Sequence, residues 1–269
     1  MVRRSKCATT SKSGECNLTD QNHPKAPQTV SPDEIARFSA IADAWWDPEG
    51  DFKPLHRLNP TRLAFIRDHA CARFGRDPKA EKPLDGLRVL DIGCGGGLLS
   101  EPMTRLGARV VGIDAAEKSV NVARLHAERN GLDIDYRWAP PEDFARTAGG
   151  EFDIVLNMEV LEHVADLQSF FTISAGMVRR GGIMVISTIN RTLKSLALAK
   201  VGAEYVLRWL PAGTHDWRKF VRPSELADGL RPGGIEITQL SGVAYNPLSD
   251  QWGASADVSV NYMALGVKD

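Results

Sequence analysis

The chain has 269 residues, which is enough to bury a full hydrophobic core in one large domain. Its 33 basic and 34 acidic residues nearly cancel, so no strong electrostatic attraction for polyanions is expected. This charge balance disfavours nucleic acid as the main partner, with local basic patches left open. The four cysteines form no C-x-x-C pair, which argues against a zinc knuckle and a disulfide framework. No apolar run approaches a membrane span, and no apolar segment typical of a secretory signal follows the first residues.

The first segment, residues 1–30, is rich in Ser, Thr, Lys and Pro and has little periodicity, which predicts a disordered tail. An organelle transit peptide is the less favoured alternative because acidic residues interrupt the segment. The folded domain is expected to span 31–269. It begins with a helix whose first turn contains Pro32, and a second helix is predicted to start at Asn59-Pro60.

From residue 87 onward, strand and helix patterns alternate along the chain. Strands are predicted near 87–92, 109–113, 133–138, 152–157 and 182–189, and helices near 98–106, 117–130, 159–164 and 167–179. The alternation indicates an α/β fold, a mostly parallel sheet with helices on both faces. A short helix near 223–230 and strands near 234–242 and 257–267 follow, and the last strand is predicted to be antiparallel.

A glycine loop follows the first predicted strand. The sequence reads V-L-D-I-G-C-G-G-G to residue 97, and the second strand ends at Asp114. Gly93 lets the backbone approach a ligand, while Asp114 can accept hydrogen bonds from a ribose diol or, alternatively, cap the next helix. Leu98 stands where a dinucleotide fingerprint has its last glycine, which disfavours an NAD-linked dehydrogenase. The pattern D-x-G-x-G-x-G resembles motif I of the class I S-adenosylmethionine (SAM) methyltransferases.

The fourth predicted strand is followed by N-M-E-V-L-E-H-V, ending at residue 164. Met158 can pack on an adenine ring or simply belong to the core. If Glu159 opens a helix, Glu162 and His163 lie on the same face and the three side chains can hold a divalent ion. The alternative is structural: glutamates favour a helix N-terminus, and the histidine caps or packs.

The loop after the third predicted strand carries Pro140-Pro141-Glu142-Asp143. Its position predicts that it lies over the adenine, where Asp143 or a nearby backbone amide would reach the exocyclic amine. A solvated helix start is the favoured interpretation, because two consecutive prolines restrict the backbone.

Residues 190–222 interrupt the alternation and are interpreted as an insertion. The segment contains an amphipathic helix pattern with basic and aromatic residues, including Lys200, Arg208 and Trp209. A helix docked on the core is the simplest interpretation. A lid or a membrane-surface anchor beside the site is the functional alternative.

Several segments together resemble the ubiquinone-biosynthesis O-methyltransferases of bacteria and mitochondria, from about residue 31 to the end. The segments are W-W-D-P at 45–48, N-P-T-R-L at 59–63, D-I-G-C-G-G-G at 91–97, M-E-V-L-E-H-V at 158–164, S-T-I-N-R-T at 187–192, V-G-A-E-Y at 201–205, G-T-H-D-W at 213–217 and V-N-Y-M at 260–263. The resemblance implies a Rossmann-like class I methyltransferase fold with SAM as cofactor. It assigns SAM contacts to Arg62, Gly93, Asp114 and Met158, and a divalent metal, Mg²⁺, to Glu159, Glu162 and His163.

The same resemblance implies methylation of a phenolic oxygen on polyprenylated catechol and demethylubiquinol intermediates. Without a metal, Glu162 or His163 is the candidate general base. The resemblance also implies a cytoplasmic enzyme held peripherally at the inner membrane by the 190–222 insertion, with other enzymes of the pathway as candidate partners. A non-catalytic SAM-binding scaffold, or a methyltransferase for another lipophilic catechol, remains the alternative.

Overall fold

The computed structural model describes residues 29–148, 150–197, 216–246 and 251–269. Almost all of the predicted tail and the amphipathic helix of the insertion therefore lie outside the described residues. The helices are α1 (Pro32–Ile41), α2 (Lys53–Phe74), α3 (Ser100–Arg105), α4 (Glu117–Arg129), α5 (Pro141–Ala145), α6 (Leu167–Met177), α7 (Leu193–Ser195) and α8 (Pro223–Leu230). The strands are β1 (Arg88–Ile92), β2 (Arg109–Asp114), β3 (Asp135–Trp138), β4 (Phe152–Met158), β5 (Val178–Ile189), β6 (Ile235–Asn246), β7 (Gln251–Ser255) and β8 (Asn261–Lys268).

The described strands form one sheet in the order β3-β2-β1-β4-β5-β8-β6-β7. Strands β1 to β5 pair in parallel, whereas β8 joins β5 antiparallel and β6 and β7 extend that antiparallel edge. The chain fills one side of β1 first and then crosses to β4 on its other side. This reversal opens a crevice at the carboxyl ends of β1 and β4, where open α/β sheets bind ligands. The predicted fold class is confirmed.

Alternate residues of the central strands enter two separate cores, one on each face of the sheet. On β1, Leu90 and Ile92 pack toward α6 and α8, whereas Val89 packs toward the face that α2 covers. Side chains of a strand alternate between faces, so a strand buried on both sides must be apolar at nearly every position. The sheet is therefore fixed from both sides, and the loops at its carboxyl edge are held by a rigid support.

Helix α2 begins six residues before the predicted start at Asn59-Pro60. Pro54 lies in its first turn, Pro60 lies inside the helix, and Gly75 ends it in the left-handed conformation. Both prolines carry the same local signal, and only packing distinguishes the helix start from the interior position. Instead of capping α2, the Asn59 amide donates a hydrogen bond of 2.7 Å to the carbonyl of Leu98, which ties α2 to the end of the glycine loop.

Two residues that the sequence assigned to the tail are part of the fold. Val30 forms a β-bridge with Val164, and the amide of Ala165 donates to the carbonyl of Thr29 at 2.8 Å. The Thr29 amide donates to the Glu142 carboxylate at 3.1 Å. The folded domain therefore starts before residue 31. A second difference is β7, a short edge strand that the sequence did not predict.

Candidate functional site

The glycine loop leaves the carboxyl end of β1 in a conformation that requires glycine. Gly93 has a φ of 71°, and a Cβ atom there would lie 2.6 Å from the Val160 side chain. Gly95 also has a positive φ, and its amide donates to Asp114 at 2.9 Å. Leu98, where a dinucleotide fingerprint would have glycine, is buried in a small apolar cluster. The loop is thus packed between neighbouring side chains and attached to the end of β2.

Asp114 is half-buried at the end of β2 and holds two backbone amides. Its Oδ2 accepts from Gly95 at 2.9 Å and its Oδ1 accepts from Ala116 at 2.8 Å. Burial raises the pKa of Asp114 above its ordinary value, and the two backbone hydrogen bonds oppose that shift. Ala116, not Asp114, occupies the N-cap position of α4. The helix-cap alternative for Asp114 is therefore not what the structure shows.

A cavity of about 900 Å³ opens at this edge of the sheet. Six of the seven predicted site residues line it, namely Gly93, Asp114, Met158, Glu159, Glu162 and His163. Its other walls are mostly apolar and come from α1, α2 and the β6–β7 hairpin, including Ile35, Phe38, Leu55, Leu58, Val243 and Tyr245. The volume lies near the upper end of about 300–1,000 Å³ for ligand pockets.

Arg62, the seventh predicted residue, lies behind the cavity wall. It is buried on α2, and its Nη2 is 2.9 Å from Oε1 of Glu159. Its Nε has no hydrogen-bond partner among the described residues. A buried guanidinium keeps its charge, so a donor left over at this position favours a second anion nearby.

The segment after β4 differs from the predicted helix over 159–164. Glu159 has a φ of 58° and is the single non-glycine with positive φ among the described residues. A 3-10 turn then covers Leu161–His163. Because Glu159 lies outside that turn, the three side chains do not share a helix face as the spacing predicted. The Ser187 hydroxyl and Arg62 hold the Glu159 carboxylate instead. A left-handed backbone at a bulky residue is strained and concentrates at functional sites.

Glu162 is almost fully buried at the cavity wall and accepts a hydrogen bond of 2.8 Å from the Thr188 hydroxyl. Burial, and secondarily the charge of Glu159, raise the pKa of Glu162 to about 7, while His163 and the Thr188 hydrogen bond oppose the shift. A carboxyl group with a pKa near neutrality can accept and release a proton at physiological pH.

His163 pairs with a residue that the sequence analysis did not single out. Its Nδ1 lies 3.2 Å from Oε2 of Glu34 on α1, and the ring of Phe38 meets its edge with the centroids 5.0 Å apart. This pairing, with smaller contributions from Arg37 and Lys219, lowers the pKa of Glu34 to about 2 against the opposing effect of burial. The sequence predicts α1 only as a helix with Pro32 in its first turn. Its position over the site follows from tertiary packing alone.

The loop after β3 contributes to the cavity through apolar atoms. Ala139 and Pro141 line it, whereas Asp143 is exposed and pairs with Arg146 at 3.2 Å. Asp143 is thus not a lining residue in this conformation, and the contact of this loop with an adenine amine stays a prediction. The predicted helix start is present as α5.

In the described part of the chain, no group of three or more His, Cys, Asp and Glu side chains is arranged to hold a metal ion. None of the helices described in the structure is both long and apolar enough to cross a bilayer.

Comparisons with known proteins agree with this geometry. The methyltransferase domain family matches residues 90–186. The structure of magnesium protoporphyrin IX methyltransferase from Synechocystis PCC 6803 with bound S-adenosylhomocysteine (SAH) aligns with a TM-score of 0.60 at 20% identity, covering 87% of this chain and 95% of that one. A Burkholderia thailandensis 1,6-didemethyltoxoflavin-N1-methyltransferase aligns with a TM-score of 0.55 at 17% identity, covering 91% and 93%. At these identities the likeness shows the fold.

Two curated relatives are far more similar in sequence. The ubiquinone biosynthesis O-methyltransferase of Rhizobium etli is 58% identical over 241 residues, covering 90% of this chain and 97% of that protein. The protein of the same name from Brucella anthropi is 57% identical over 240 residues, covering 89% and 96%. Identity of this extent reaches well beyond the cofactor-binding half of the fold. The chain therefore belongs to the ubiquinone biosynthesis O-methyltransferases and is a SAM-dependent O-methyltransferase of the class I fold.

Proposed function

We propose that the enzyme methylates a phenolic oxygen of polyprenylated catechol and demethylubiquinol intermediates of ubiquinone biosynthesis. The observation that carries this proposal is the single cavity that joins the glycine loop and Asp114 to the carboxylates of Glu159 and Glu162. The name of the close relatives supports the pathway. The apolar walls from α1, α2 and the β6–β7 hairpin suit an aromatic ring that carries an isoprenoid tail.

SAM, when bound, supplies an electrophilic methyl group on its sulfonium. Gly93 would let the methionine portion lie against the loop, Asp114 would accept the two ribose hydroxyls, and Met158 would pack on the adenine. Arg62 would pair with the methionine carboxylate, which its buried Nε, without a hydrogen-bond partner among the described residues, supports. Its present partner, Glu159, lies at the cavity wall, so Arg62 would shift or share its donors between the two anions.

The acceptor must lose its phenolic proton as the new O–CH₃ bond forms and the S–CH₃ bond breaks. Glu162 is the best-placed base, because it lines the cavity and its pKa is raised to about 7. The proton would pass to its carboxylate, and SAH would leave as a neutral thioether. His163 is the second candidate, but Glu34 already engages its Nδ1. The protein otherwise aligns the oxygen with the methyl carbon and excludes water.

A divalent ion, Mg²⁺, is the other way to activate the phenol. The residues present are ligands that suit such an ion. Glu159 and Glu162 are carboxylates, and they are close enough for the charge of Glu159 to raise the pKa of Glu162. His163 adjoins them at the cavity wall. A bound cation would relieve that repulsion and lower the pKa of a chelated catechol. The three side chains are not gathered around one point in the present conformation. To bind one ion together, His163 would have to leave Glu34 and Glu159 would have to leave Arg62.

We also propose that the enzyme works in the cytoplasm as a peripheral protein of the inner membrane, where it meets its lipid substrate and other enzymes of the pathway. The basic and aromatic composition of 190–222 supports a membrane-facing role for this insertion. Its described ends adjoin the site: Lys194 and Asp257 form an ion pair at the cavity, and Lys219 lies 3.5 Å from Glu34.

The test is transfer of the labelled methyl group of SAM to a short-chain prenylated catechol, with EDTA and with added Mg²⁺. Turnover that EDTA removes and Mg²⁺ restores supports both the substrate class and the metal. Turnover that EDTA does not change supports the substrate class and assigns proton removal to Glu162 without a metal. SAH binding without any transfer, including in the presence of lipid vesicles, would overturn the proposed substrate and favour the scaffold alternative.

A further inference from the structure

Two adjacent tryptophans pack directly on the glycine loop. The indole Nε1 of Trp46 donates a hydrogen bond of 2.9 Å to the carbonyl of Gly96. The ring of Trp45 lies against Gly95 and Gly96, and a Cβ atom at either glycine would come within 2.5 Å of it. These two glycines therefore make room for an indole ring as well as for a ligand.

Each tryptophan also contacts residues outside the glycine loop. The ring of Trp46 stacks on the imidazole of His126 with centroids 3.5 Å apart and planes within 8°. Nδ1 of His126 is 2.5 Å from Oε1 of Glu101, which is buried. Trp45 donates to the Ser119 hydroxyl at 3.2 Å. The indole rings consequently have little rotational freedom, since each ring has a packing contact and its N–H has a hydrogen-bond acceptor.

These contacts form a closed circuit around the loop. Glu101 lies in the first turn of α3, directly after the loop, and its amide donates to the carbonyl of Gly97 at 3.1 Å. From Glu101 the contacts run to His126 on α4, then to Trp46, and back to Gly96. A loop of glycines has high conformational freedom when unrestrained. The circuit fixes the peptide orientation on both sides of the loop before any ligand arrives.

We propose that Trp46, His126 and Glu101 are positioning residues that preorganise the glycine loop for SAM. None of the three lines the cavity, although Trp45 does, so their effect must pass through the loop rather than through ligand contact. Preorganisation raises affinity by removing the ordering cost that binding otherwise includes. The proposal uses the SAM dependence of the family and is independent of which phenol is methylated.

The test is calorimetric binding of SAH to the full chain and to Trp46→Phe, which keeps an aromatic ring on His126 but removes the donor to Gly96. SAH is expected to bind about 3- to 10-fold more weakly, the scale of one hydrogen bond. The KM for SAM should rise by a similar factor while the KM for the acceptor stays within twofold. Trp217→Phe is the matched control, since its indole donates to the Thr192 carbonyl at 3.0 Å without contacting the loop.

A second variant, His126→Phe, keeps the stacking on Trp46 and removes the partner of Glu101. The double variant with Trp46→Phe should weaken SAH binding by a smaller factor than the product of the two single-variant factors, because both substitutions act on one circuit. If both single variants fold and bind SAH within twofold of the parent, the proposal is overturned and the circuit only supports stability. An equal rise in the KM of both substrates would overturn it as well.

Discussion

Nη2 of Arg62 lies 2.9 Å from Oε1 of Glu159, and the pair joins the buried face of α2 to the strained residue that follows β4. The arginine side chain is 3% exposed and the glutamate side chain 19%, so the cation sits inside and the anion faces the cavity. Arg62 thereby offsets part of the negative charge that Glu159 and Glu162 bring to one wall. Its Nε also lacks a hydrogen-bond partner among the described residues.

Replacing Arg62 with Gln should weaken SAH binding by about tenfold or more, because a charge-assisted pair with the methionine carboxylate is lost. Arg62→Lys should restore only part of the affinity, since an ammonium group lacks the planar fork of guanidinium. Calorimetric titration of the three proteins with SAH checks this. Unchanged affinity in Arg62→Gln would mean that Arg62 serves Glu159 alone.

Asp114→Asn should weaken SAH binding by about 10- to 100-fold while leaving the chain folded. The amide can still accept from one backbone N–H, but it loses the charge that strengthens hydrogen bonds from both ribose hydroxyls. Comparing SAH with its 2′-deoxy analogue in parent and variant isolates the ribose contribution. If the variant discriminates the two ligands as strongly as the parent does, Asp114 does not hold the ribose.

Glu159→Gln and Glu162→Gln should each abolish Mg²⁺-stimulated turnover and leave SAH affinity within about threefold of the parent. Each substitution removes a candidate metal ligand at the acceptor end of the cavity without altering Gly93 or Asp114. Turnover assays across a Mg²⁺ series, with SAH calorimetry in parallel, provide the two readouts. Loss of SAH binding in both variants would instead place this pair in the SAM site.

In EDTA, kcat/KM for the acceptor should rise with pH and reach half its plateau near the pKa of Glu162, about 7. Below that pH the carboxyl group is protonated and cannot accept the phenolic proton; above it the base form predominates. Glu162→Gln should lower the plateau and remove this limb of the profile. A limb that persists unchanged in the variant would assign the titration to another group.

Asp91 should make the protein less stable as the pH rises from about 4 to 6. Burial raises its folded-state pKa from 3.8 to about 6, opposed by the Ser100 hydroxyl at 2.6 Å and reinforced by the charge of Asp114. In this window the folded state holds the proton more tightly than the unfolded state, so stability present at low pH is lost with rising pH.

The corresponding experiment is urea unfolding of the parent and Asp91→Asn at pH 4 and pH 7. Because Asn cannot ionise, the variant should gain up to about 3 kcal/mol relative to the parent between those pH values. A stability difference that is the same at both pH values would show that Asp91 does not titrate as described.

Local patterns predict much of this molecule correctly. The apolar runs of β1, β2 and β4 and the glycines at 93–97 specify strands and a tight loop through short-range sterics. Since parallel strands end at one edge, they also bring Asp114 and Met158 to one cavity. The predicted start of α2 and the helix at 159–164 are wrong because both depend on packing. Asn59 is drawn to the carbonyl of Leu98, and Arg62 and Ser187 hold Glu159 in the left-handed region.

The sequence by itself determined the alternating architecture, the ligand edge of the sheet and the residue types that meet there, because each depends on periodicity or on backbone freedom. Only the tertiary structure decided what surrounds those residues. Residues far apart in the chain supply the partners: Glu34 for His163, Arg62 for Glu159, and Trp46 for the glycine loop. Such contacts produce no periodic pattern in the sequence, because they form only after α1, α2 and the sheet have packed together.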